Sequence, residues 1–410
     1  MELYQHQKKL IDENPSMRLV AFGCGAGKTR AVLGLADKRP GSIVVVAPKT
    51  QVLDRTWERE KAKMGLLRPL TVLSKEQFKK SKPKACDILV LDESHVFCGV
   101  LPATRYRKKV EIPRASQIFE EVLVYVKEVK PKAIYLCSAT PFPQPMSLWA
   151  AATLLGADWD YFAFRRKFYA YIPVIGRGVW VPNRSKANET ELKRLAHAFG
   201  SFGRLEDLFD VPDQVHKDVQ VGMTGPQRTS LKELPFMYPD PLALIGKRHQ
   251  VEQGVFEGGT IAENKTAEIC ELVREFPKLL VFCRYTHQID ALAAVLKKRF
   301  RSRDVLVLDG RTKERRELLA LAEDGNRETV VVAQSQVSTG YELPSFRATV
   351  FASLSYSFVD YEQALGRTQR ANRISKNVYV HLLAGPVDEA VLECVRGKRD
   401  FNEELFAQKA

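Results

Sequence analysis

The sequence predicts an α/β protein built from two parallel sheets. Short apolar runs rich in β-branched residues alternate with longer segments of helical periodicity in two separate stretches of the chain. The alternation breaks at the proline-rich residues 141–145 and resumes at residues 279–283. At 410 residues the chain exceeds the size of one ordinary hydrophobic core, so two or three domains are expected.

The first stretch contains five predicted strands separated or followed by helices. The strands are residues 18–22, 43–47, 70–73, 87–91 and 133–137. The helices are residues 28–37, 50–63, 75–80 and 115–128. Because these strands are almost wholly apolar, we expect them to be buried inside a parallel sheet.

The second stretch repeats this pattern after a middle region of different character. Residues 147–205 are expected to be mainly helical and irregular, and residues 206–265 to mix helix with Pro- and Gly-rich loops. Five further strands are predicted at residues 279–283, 305–308, 329–333, 348–352 and 377–382, followed by a final helix. The predicted domains are therefore residues 1–205 (core 1–146, helical insertion 147–205), a linker at 206–265, and residues 266–410.

The charge of the chain favours a polyanionic partner. The net charge is +14 and the sequence pI is about 9.4. Residues 161–205 hold nine Lys/Arg, two acids and nine aromatic residues. Basic and aromatic residues together suit single-strand binding, and a small helical subdomain with an aromatic core and a solvated basic face is the alternative.

Other function classes are disfavoured by composition. No apolar run approaches the roughly 20 residues that a membrane-spanning helix needs. The seven cysteines form no CxxC pair, which indicates buried thiols in a reducing compartment rather than a metal site. The first residues show no secretory signal pattern, so we expect a cytoplasmic protein of a bacterium or of a virus-infected cell.

A glycine-rich loop follows the first predicted strand and precedes a helix. Residues 23–29 read Gly-Cys-Gly-Ala-Gly-Lys-Thr. Glycines such as Gly25 and Gly27 let backbone amides face a phosphate, and the helix N-terminus adds positive potential. This context predicts an ATP site in which Lys28 contacts the β- and γ-phosphates and Thr29 binds Mg²⁺.

Acidic and hydroxyl residues follow two other strands of the first half. Asp92 and Glu93 come at the end of the strand 87–91, where one acid can hold Mg²⁺ and a second can deprotonate the attacking water. We assign these roles to Asp92 and Glu93, respectively. Ser138 and Thr140 follow the strand 133–137, and their hydroxyls can bond to the two acids and sense the γ-phosphate.

Three polar residues near the end of the chain complete the predicted catalytic set. Gln363, Arg367 and Arg370 are spaced by four and three residues, which predicts that they share one helix face. Arginines directed at one point suit the phosphate charge that develops in a transition state. Because Lys28 and Gln363 lie so far apart in sequence, we expect two lobes that close on ATP.

In their order along the chain, these segments resemble the conserved motifs of superfamily 2 helicases. Residues 23–29, 92–95, 138–141, 339–342 and 363–370 look like motifs I, II, III, V and VI. The resemblance covers nearly the whole chain and implies two tandem RecA-like lobes. Further segments, including residues 47–50, 57–60 and 247–250, resemble the Swi/Snf-type branch with its annealing-helicase and viral relatives.

The resemblance also implies roles for individual residues. Gln7 matches the glutamine that reads adenine, Gly340 and Glu342 belong to the nucleotide site, and His95 joins Ser138 and Thr140 in coupling. The implied contacts to the nucleic-acid backbone are Pro48, Lys49, Ser74, Arg284, Arg311 and Gln334. From the basic and aromatic insertion we add Arg165, Arg166 and Lys167.

The predicted function is that of an ATP- and Mg²⁺-dependent DNA translocase or helicase, acting as a monomer on duplex or branched DNA without sequence preference. Whether it separates strands or only moves along them is open at this stage. An RNA-dependent helicase is a second hypothesis. A nucleotide-gated clamp that grips nucleic acid without moving is a third.

Overall fold

Two parallel six-stranded sheets organise the molecule. The structure is a computed structural model, and it describes residues 2–107, 109–174, 177–337, 341–369 and 376–400. The chain divides into two units, residues 1–209 and 210–410. No helix among the described residues is both long and apolar enough to cross a membrane.

The first unit alternates strands and helices around its sheet. Its strands are β1 (Met17–Phe22), β2 (Ile43–Ala47), β3 (Leu70–Ser74), β4 (Ile88–Asp92), β5 (Val100–Arg107), β6 (Val110–Ala115), β7 (Ala133–Cys137), β8 (Tyr169–Val174), β9 (Arg177–Pro182) and β10 (Gly200–Gly203). Its helices are α1 (Gln5–Glu13), α2 (Lys28–Asp37), α3 (Lys49–Leu53), α4 (Thr56–Lys63), α5 (Lys75–Ser81), α6 (Gln117–Val129), α7 (Pro145–Leu154), α8 (Tyr161–Phe168), α9 (Lys186–Phe199) and α10 (Leu205–Leu208).

The parallel sheet of this unit has the strand order β10-β1-β7-β4-β2-β3. Every residue of β2, β4 and β7 is buried, because helices cover both faces of the sheet. Two antiparallel hairpins, β5–β6 and β8–β9, stand outside the sheet.

The second unit has the same plan. Its strands are β11 (Val215–Gln220), β12 (Val255–Phe256), β13 (Gly259–Thr260), β14 (Lys278–Cys283), β15 (Asp304–Leu308), β16 (Thr329–Gln334), β17 (Ala348–Phe351) and β18 (Val378–Leu383). Its helices are α11 (Gly225–Met237), α12 (Pro241–Glu252), α13 (Asn264–Glu275), α14 (Thr286–Arg299), α15 (Arg315–Glu323), α16 (Phe358–Leu365) and α17 (Pro386–Arg396). The parallel sheet order is β11-β18-β17-β14-β16-β15.

The predicted fold class is confirmed. The two sheets match tandem RecA-like lobes, and all ten predicted strands are present with ends within one residue of the prediction. The reason is that the central strands are continuous apolar runs, such as Ile-Val-Val-Val-Ala in β2. Their composition alone predicts that they are buried.

Our expectation for residues 147–205 is wrong in part. They form α7, α8 and α9 as expected, but also the hairpin β8–β9 and the strand β10. β10 pairs in parallel with β1, Leu19 facing Gly200 and Phe22 facing Gly203, so it is the edge strand of the first sheet. The sequence of β10, Gly-Ser-Phe-Gly, contains no apolar run, so the sequence pattern does not predict a strand there.

A similar difference appears at the start of the second unit. β11 was not expected within residues 206–265, yet it pairs along its whole length with β18. Its sequence, Val-His-Lys-Asp-Val-Gln, carries mostly polar side chains because it lies at the edge of the sheet. Edge strands with such polar sequences are not predicted by a method that relies on continuous apolar runs.

Candidate nucleotide site and nucleic-acid contacts

The glycine-rich loop joins β1 to α2 at the carboxyl edge of the first sheet. Gly25 and Gly27 have φ angles of 77° and 79°, in the left-handed region that favours glycine. A Cβ atom on Gly27 would also lie only 2.2 Å from Gln7 Nε2. α2 begins at Lys28 without a side-chain cap, so its first amides are available to an anion.

Helix α1 supports this loop through two side chains. Gln7 is fully buried, its Nε2 donates to the carbonyl of Gly27 at 2.9 Å, and its Oε1 accepts from the amide of Tyr4 at 2.9 Å. His6 Nε2 donates to the carbonyl of Ala26 at 2.9 Å. Both ends of the Gln7 amide are thus used inside the first unit. The adenine contact implied by the resemblance stays a prediction and requires the amide to change partners.

Lys28 points back across the loop. Its ammonium group donates to the carbonyls of Phe22 at 3.0 Å and Gly23 at 3.2 Å. Thr29 is half-buried in the first turn of α2. Among the described residues Lys28 donates hydrogen bonds to these two carbonyls alone, and it can exchange them for phosphate oxygens, which are stronger, charged acceptors.

The two acids lie at the end of β4 in different environments. Asp92 is buried, and its Oδ2 accepts a hydrogen bond from Trp57 Nε1 at 3.1 Å. Its Oδ1 accepts from the amide of Glu93 at 2.9 Å. Burial, followed by the charge of Glu93, raises the pKa of Asp92 to about 6, against the lowering effect of Lys28.

The environment of these acids fits a hydrated Mg²⁺ ion and a nucleotide. Glu93 Oε2 and Thr140 Oγ1 are buried and have no hydrogen-bond partner among the described residues. His95 Nδ1 lies 3.4 Å from Glu93 Oε2, but the contact does not meet hydrogen-bond geometry. Orphaned buried oxygens beside a carboxylate of raised pKa are unfavourable unless a cation and ordered water satisfy them.

Hydrogen bonds join the segment that follows the two acids to the segment that follows the next strand of the sheet. β4 and β7 are neighbours, so the residues that follow them lie side by side. His95 Nδ1 is 3.1 Å from Ser138 Oγ, which also accepts from the amide of Thr140 at 3.1 Å. The structure therefore brings together three of the residues predicted to couple the site.

The helix α16 ends earlier than the sequence predicted. It ends at Leu365 and Gly366 caps it, so Gln363 and Arg367 do not share one helix face. Arg367 is buried, and it donates from Nε to the carbonyl of Gln363 at 2.7 Å and from Nη1 to that of Tyr341 at 2.6 Å. Glycine ends helices readily because it carries no side chain to favour the next turn.

The other site residues predicted in the second unit differ in burial, and two of them lie outside the described residues. Gln363 is buried, and its Nε2 has no hydrogen-bond partner among the described residues. Glu342 is exposed next to the buried Tyr341. Gly340 and Arg370 lie outside the described residues. Their roles stay predictions.

The predicted nucleic-acid contacts of the first unit follow β2 and β3. Pro48 caps the start of α3, and Lys49 is its first residue. Ser74 is buried and caps α5, accepting from the amide of Gln77 at 3.2 Å. A Ser74 hydroxyl engaged in this way is less available to DNA than Lys49, which is exposed.

The three basic residues of α8 differ in availability. The Arg165 guanidinium lies over the ring of Trp180, 4.5 Å from its centroid, and also near Tyr161. Lys167 forms an ion pair with Glu191 at 3.1 Å. Arg166 is exposed and forms no ion pair with any described residue. Four of the nine aromatic residues of this stretch are buried in the core, namely Tyr161, Phe164, Phe168 and Tyr169, and four more are partly buried against it, namely Phe162, Trp180, Phe199 and Phe202. This arrangement favours the alternative of an aromatic core with a solvated basic face.

In the second unit the predicted contacts also have protein partners. Arg284 is half-buried, with its guanidinium 3.8 Å from the centroid of the Tyr356 ring. Arg311 pairs with Asp290 at 2.7 Å and with Asp309, and these acids raise its pKa. Gln334 is the last residue of β16. Contact of Arg311 with a phosphate would require exchange of these carboxylates.

Two features of the structure were not found from the sequence. The sequence did not predict the hydrogen bond from Trp57 to Asp92, although Trp57 lies in a segment that resembles the Swi/Snf-type branch. A buried indole N–H needs an acceptor, and this requirement is the signal that could have indicated the bond. In the second unit, Lys265 donates to Asp388 at 2.8 Å, and Asp388 accepts from Gln253 at 2.7 Å. Although burial opposes it, Lys265 and then His249 hold the pKa of Asp388 well below its usual range.

Comparison with known proteins defines the second unit further. Residues 264–372 match the family described as helicase conserved C-terminal domain. This match covers about a quarter of the chain and describes part of the second unit. No curated protein matches this chain at a significant level.

Solved structures resemble this chain over nearly its full length. The Hef helicase domain of Pyrococcus furiosus has a TM-score of 0.54 at 14% identity and covers 96% of this chain and 98% of its own. At this identity the likeness is one of fold. The SWI2/SNF2 ATPase core of Sulfolobus solfataricus, in complex with dsDNA, has a TM-score of 0.41 at 16% identity and covers 100% of this chain and 92% of its own. The same core without DNA in its title has a TM-score of 0.42 at 17% identity, with the same coverage.

Proposed function

We propose that this chain is an ATP-dependent DNA translocase or unwinding enzyme of the helicase type. The observation that carries the proposal is the grouping of the glycine-rich loop, Asp92, Glu93 and the His95–Ser138 pair at one edge of the first sheet. It occurs in a chain whose residues 264–372 match a helicase domain.

The residues of the first unit support ATP binding and hydrolysis. The first amides of α2 would bind phosphate oxygens, and Lys28 would turn to them from the carbonyls of Phe22 and Gly23. Bound Mg²⁺ neutralises phosphate charge, and Thr29 and Asp92 would hold it. Glu93 would take the proton of the attacking water through its unpartnered Oε2.

Arg367 and Arg370 are proposed to stabilise charge on the phosphate in the transition state. For Arg367 this requires release of the carbonyls of Gln363 and Tyr341, which it now holds. The unpartnered Nε2 of Gln363 is proposed to bind the same phosphate or its water.

The preference for DNA rests on the charge and the Swi/Snf-type resemblance. A net charge of +14 suits a polyanion. Exposed cations such as Lys49 and Arg166 would bind phosphates, which carry no sequence information. The proposed activity is therefore movement along any duplex or branched DNA.

The test compares ATP turnover with duplex DNA, single-stranded DNA and RNA of equal length. We expect DNA to stimulate turnover at least tenfold and RNA to stimulate it less. Preferential stimulation by RNA would replace the DNA proposal with an RNA helicase, and no stimulation by any of the three would contradict both.

A second assay separates movement from gripping. A translocase should displace the third strand of a triplex in the presence of ATP, and an unwinding enzyme should also open a forked duplex. ATP turnover without either displacement would favour the nucleotide-gated clamp instead.

A further inference from the structure

The β5–β6 hairpin is a basic and aromatic projection of the first unit. Its residues 100–115 contain five Lys/Arg and one acid. It joins neither six-stranded sheet, and its two strands pair only with each other. Isolated two-stranded hairpins are marginally stable in water, so the hairpin depends on contacts at its base.

Those contacts fix the base and leave the end of the hairpin in solvent. The hydroxyl of Tyr161 in α8 lies 2.8 Å from the carbonyl oxygens of both Leu101 and Ala103, to which it donates. Arg105 pairs with Glu120 of α6. Further out, Tyr106 is 76% exposed and Val110 is 61% exposed.

An exposed tyrosine and valine at the end of a hairpin do not stabilise the fold. Tyr106 stands opposite Glu111, and Arg107 stands opposite Val110. The one acid, Glu111, accepts a hydrogen bond from Thr104 at 2.6 Å. Arg107, Lys109 and Arg114 are exposed and form no ion pair with any residue that the structure describes. As far as the described residues show, the ring of Tyr106 and these three cations are therefore available to an outside partner.

We infer that the β5–β6 hairpin binds an unpaired nucleic-acid strand, with Tyr106 stacking on a base and Arg107 and Lys109 contacting phosphates. In a duplex the faces of the bases are covered by their neighbours, so an exposed ring has a stacking partner only where a strand is unpaired. The inference rests on the proposed function, because it specifies which part of a DNA substrate this unit contacts.

A second hairpin, β8–β9, also contacts α8. Tyr161 of α8 donates a hydrogen bond to the carbonyl of Leu101 in β5, and Arg165 of α8 lies over the ring of Trp180 in β9. Trp180 in turn packs against Tyr171 of β8, with ring centroids 5.2 Å apart. Because Tyr171 is also exposed, each of the two hairpins that contact α8 carries an exposed aromatic ring.

The experiment measures the affinity of the full chain for three oligonucleotides, namely a single strand, a fork with unpaired arms and a blunt duplex. Stacking on one base predicts that Tyr106→Ala weakens binding to the single strand and the fork about tenfold. Binding to the blunt duplex should change less than twofold. Tyr106→Phe keeps the ring and should bind like the unchanged chain.

Phe236→Ala is the matched control. Phe236 lies on α11 in the second unit and is 89% exposed, so its removal deletes an exposed ring elsewhere. It should leave all three affinities unchanged. Arg107→Gln should weaken binding of the single strand and reduce the slope of log affinity against log salt by about one.

The outcomes distinguish this inference from the proposed function. If Tyr106→Ala binds the single strand and fork as tightly as the unchanged chain, or weakens the blunt duplex equally, the inference is wrong even when DNA stimulates ATP turnover. If no nucleic acid stimulates turnover but Tyr106→Ala still loses single-strand binding selectively, the inference stands and the proposed motor function fails.

Discussion

At the scale of single residues, Asp92 and Glu93 differ in environment although they are neighbours in sequence. The Asp92 carboxylate accepts two hydrogen bonds, one from Trp57 Nε1 and one from the amide of Glu93. Glu93 has a left-handed backbone, with φ of 49°, and an unpartnered buried oxygen. The fixed carboxylate suits a metal ligand, and the unpartnered one suits a base.

The bond from Trp57 makes a testable prediction. Trp57→Phe keeps an aromatic ring but removes a donor from a buried carboxylate, a loss typically worth about 1.5–3 kcal/mol. We expect the Mg²⁺ concentration needed for half-maximal ATP turnover to rise about tenfold or more. A Mg²⁺ titration of turnover measures this.

Trp149→Phe is the control for a general effect on folding. Trp149 is also buried in the first unit, and its Nε1 donates to the carbonyl of Trp159 at 2.8 Å, away from the acids. An equal shift of the Mg²⁺ requirement in both variants would show that Trp57 acts only through the stability of the core.

At the scale of elements, α1 is the support of the glycine-rich loop. Gln7→Glu replaces the donor to the carbonyl of Gly27 with an acceptor and adds negative charge near the phosphate site. We expect the Kd for ATP to rise about tenfold or more, because a misplaced loop amide costs on the order of one strong hydrogen bond. Equilibrium binding of ATP measures the change.

Gln227→Glu offers a matched control in the second unit. Gln227 is likewise fully buried in the first turn of a helix, donates to the carbonyl of Val251 at 2.8 Å and accepts from the amide of Thr224 at 2.8 Å. It should lower stability without changing ATP affinity. Should both variants bind ATP with unchanged Kd, α1 would not position the loop.

The same scale shows what the sequence could and could not predict. Central strands such as β2 and β14 were predictable because burial on both faces demands continuous apolar runs. The hairpin β5–β6 was not, since its exposed strands carry polar and charged residues such as Arg105 and Arg107 and are held in place by Tyr161, far along the chain. The end of α16 was missed because the spacing of Gln363 and Arg367 suggested one continuous helix.

For the candidate site, local motifs were predictable and long-range partners were not. The glycines of the loop and the acids after β4 are determined by local backbone and charge requirements. The partners of Lys28, Gln7 and Asp92 depend on which elements pack together. Those contacts need the three-dimensional structure.

At the scale of the whole molecule, the second unit contains buried histidines that couple its stability to pH. His381 of β18 contacts Tyr361 at 3.0 Å and Asp218 at 3.1 Å, and it faces Arg396 and stacks with His216. Burial, followed by the charge of Arg396, lowers the pKa of His381 from 6.5 to about 4. The folded state therefore binds a proton less readily than the unfolded state.

The sign of the effect follows from this shift. The contribution of His381 to the free energy of unfolding is complete above pH 6.5 and is lost as the pH falls to about 4. Its size is on the order of 1–3 kcal/mol. Urea unfolding at several pH values, for the full chain and for His381→Gln, isolates the contribution of His381. The raised pKa of Glu252 (about 7) acts in the opposite direction, but it does so in both proteins and therefore cancels in the comparison. Identical pH profiles of the two proteins would contradict this role of His381.

The central claim is the proposal that this chain hydrolyses ATP in response to DNA by means of Glu93. The most direct measurement is steady-state ATP turnover with saturating duplex DNA, for the unchanged chain, Glu93→Gln and the control Glu206→Gln, whose residue is exposed on α10. We predict DNA-stimulated turnover in the unchanged chain and the control, and a loss of about 10²–10⁴-fold in Glu93→Gln with ATP binding retained. DNA-stimulated turnover at the full rate in Glu93→Gln, or none in the unchanged chain, would contradict the claim.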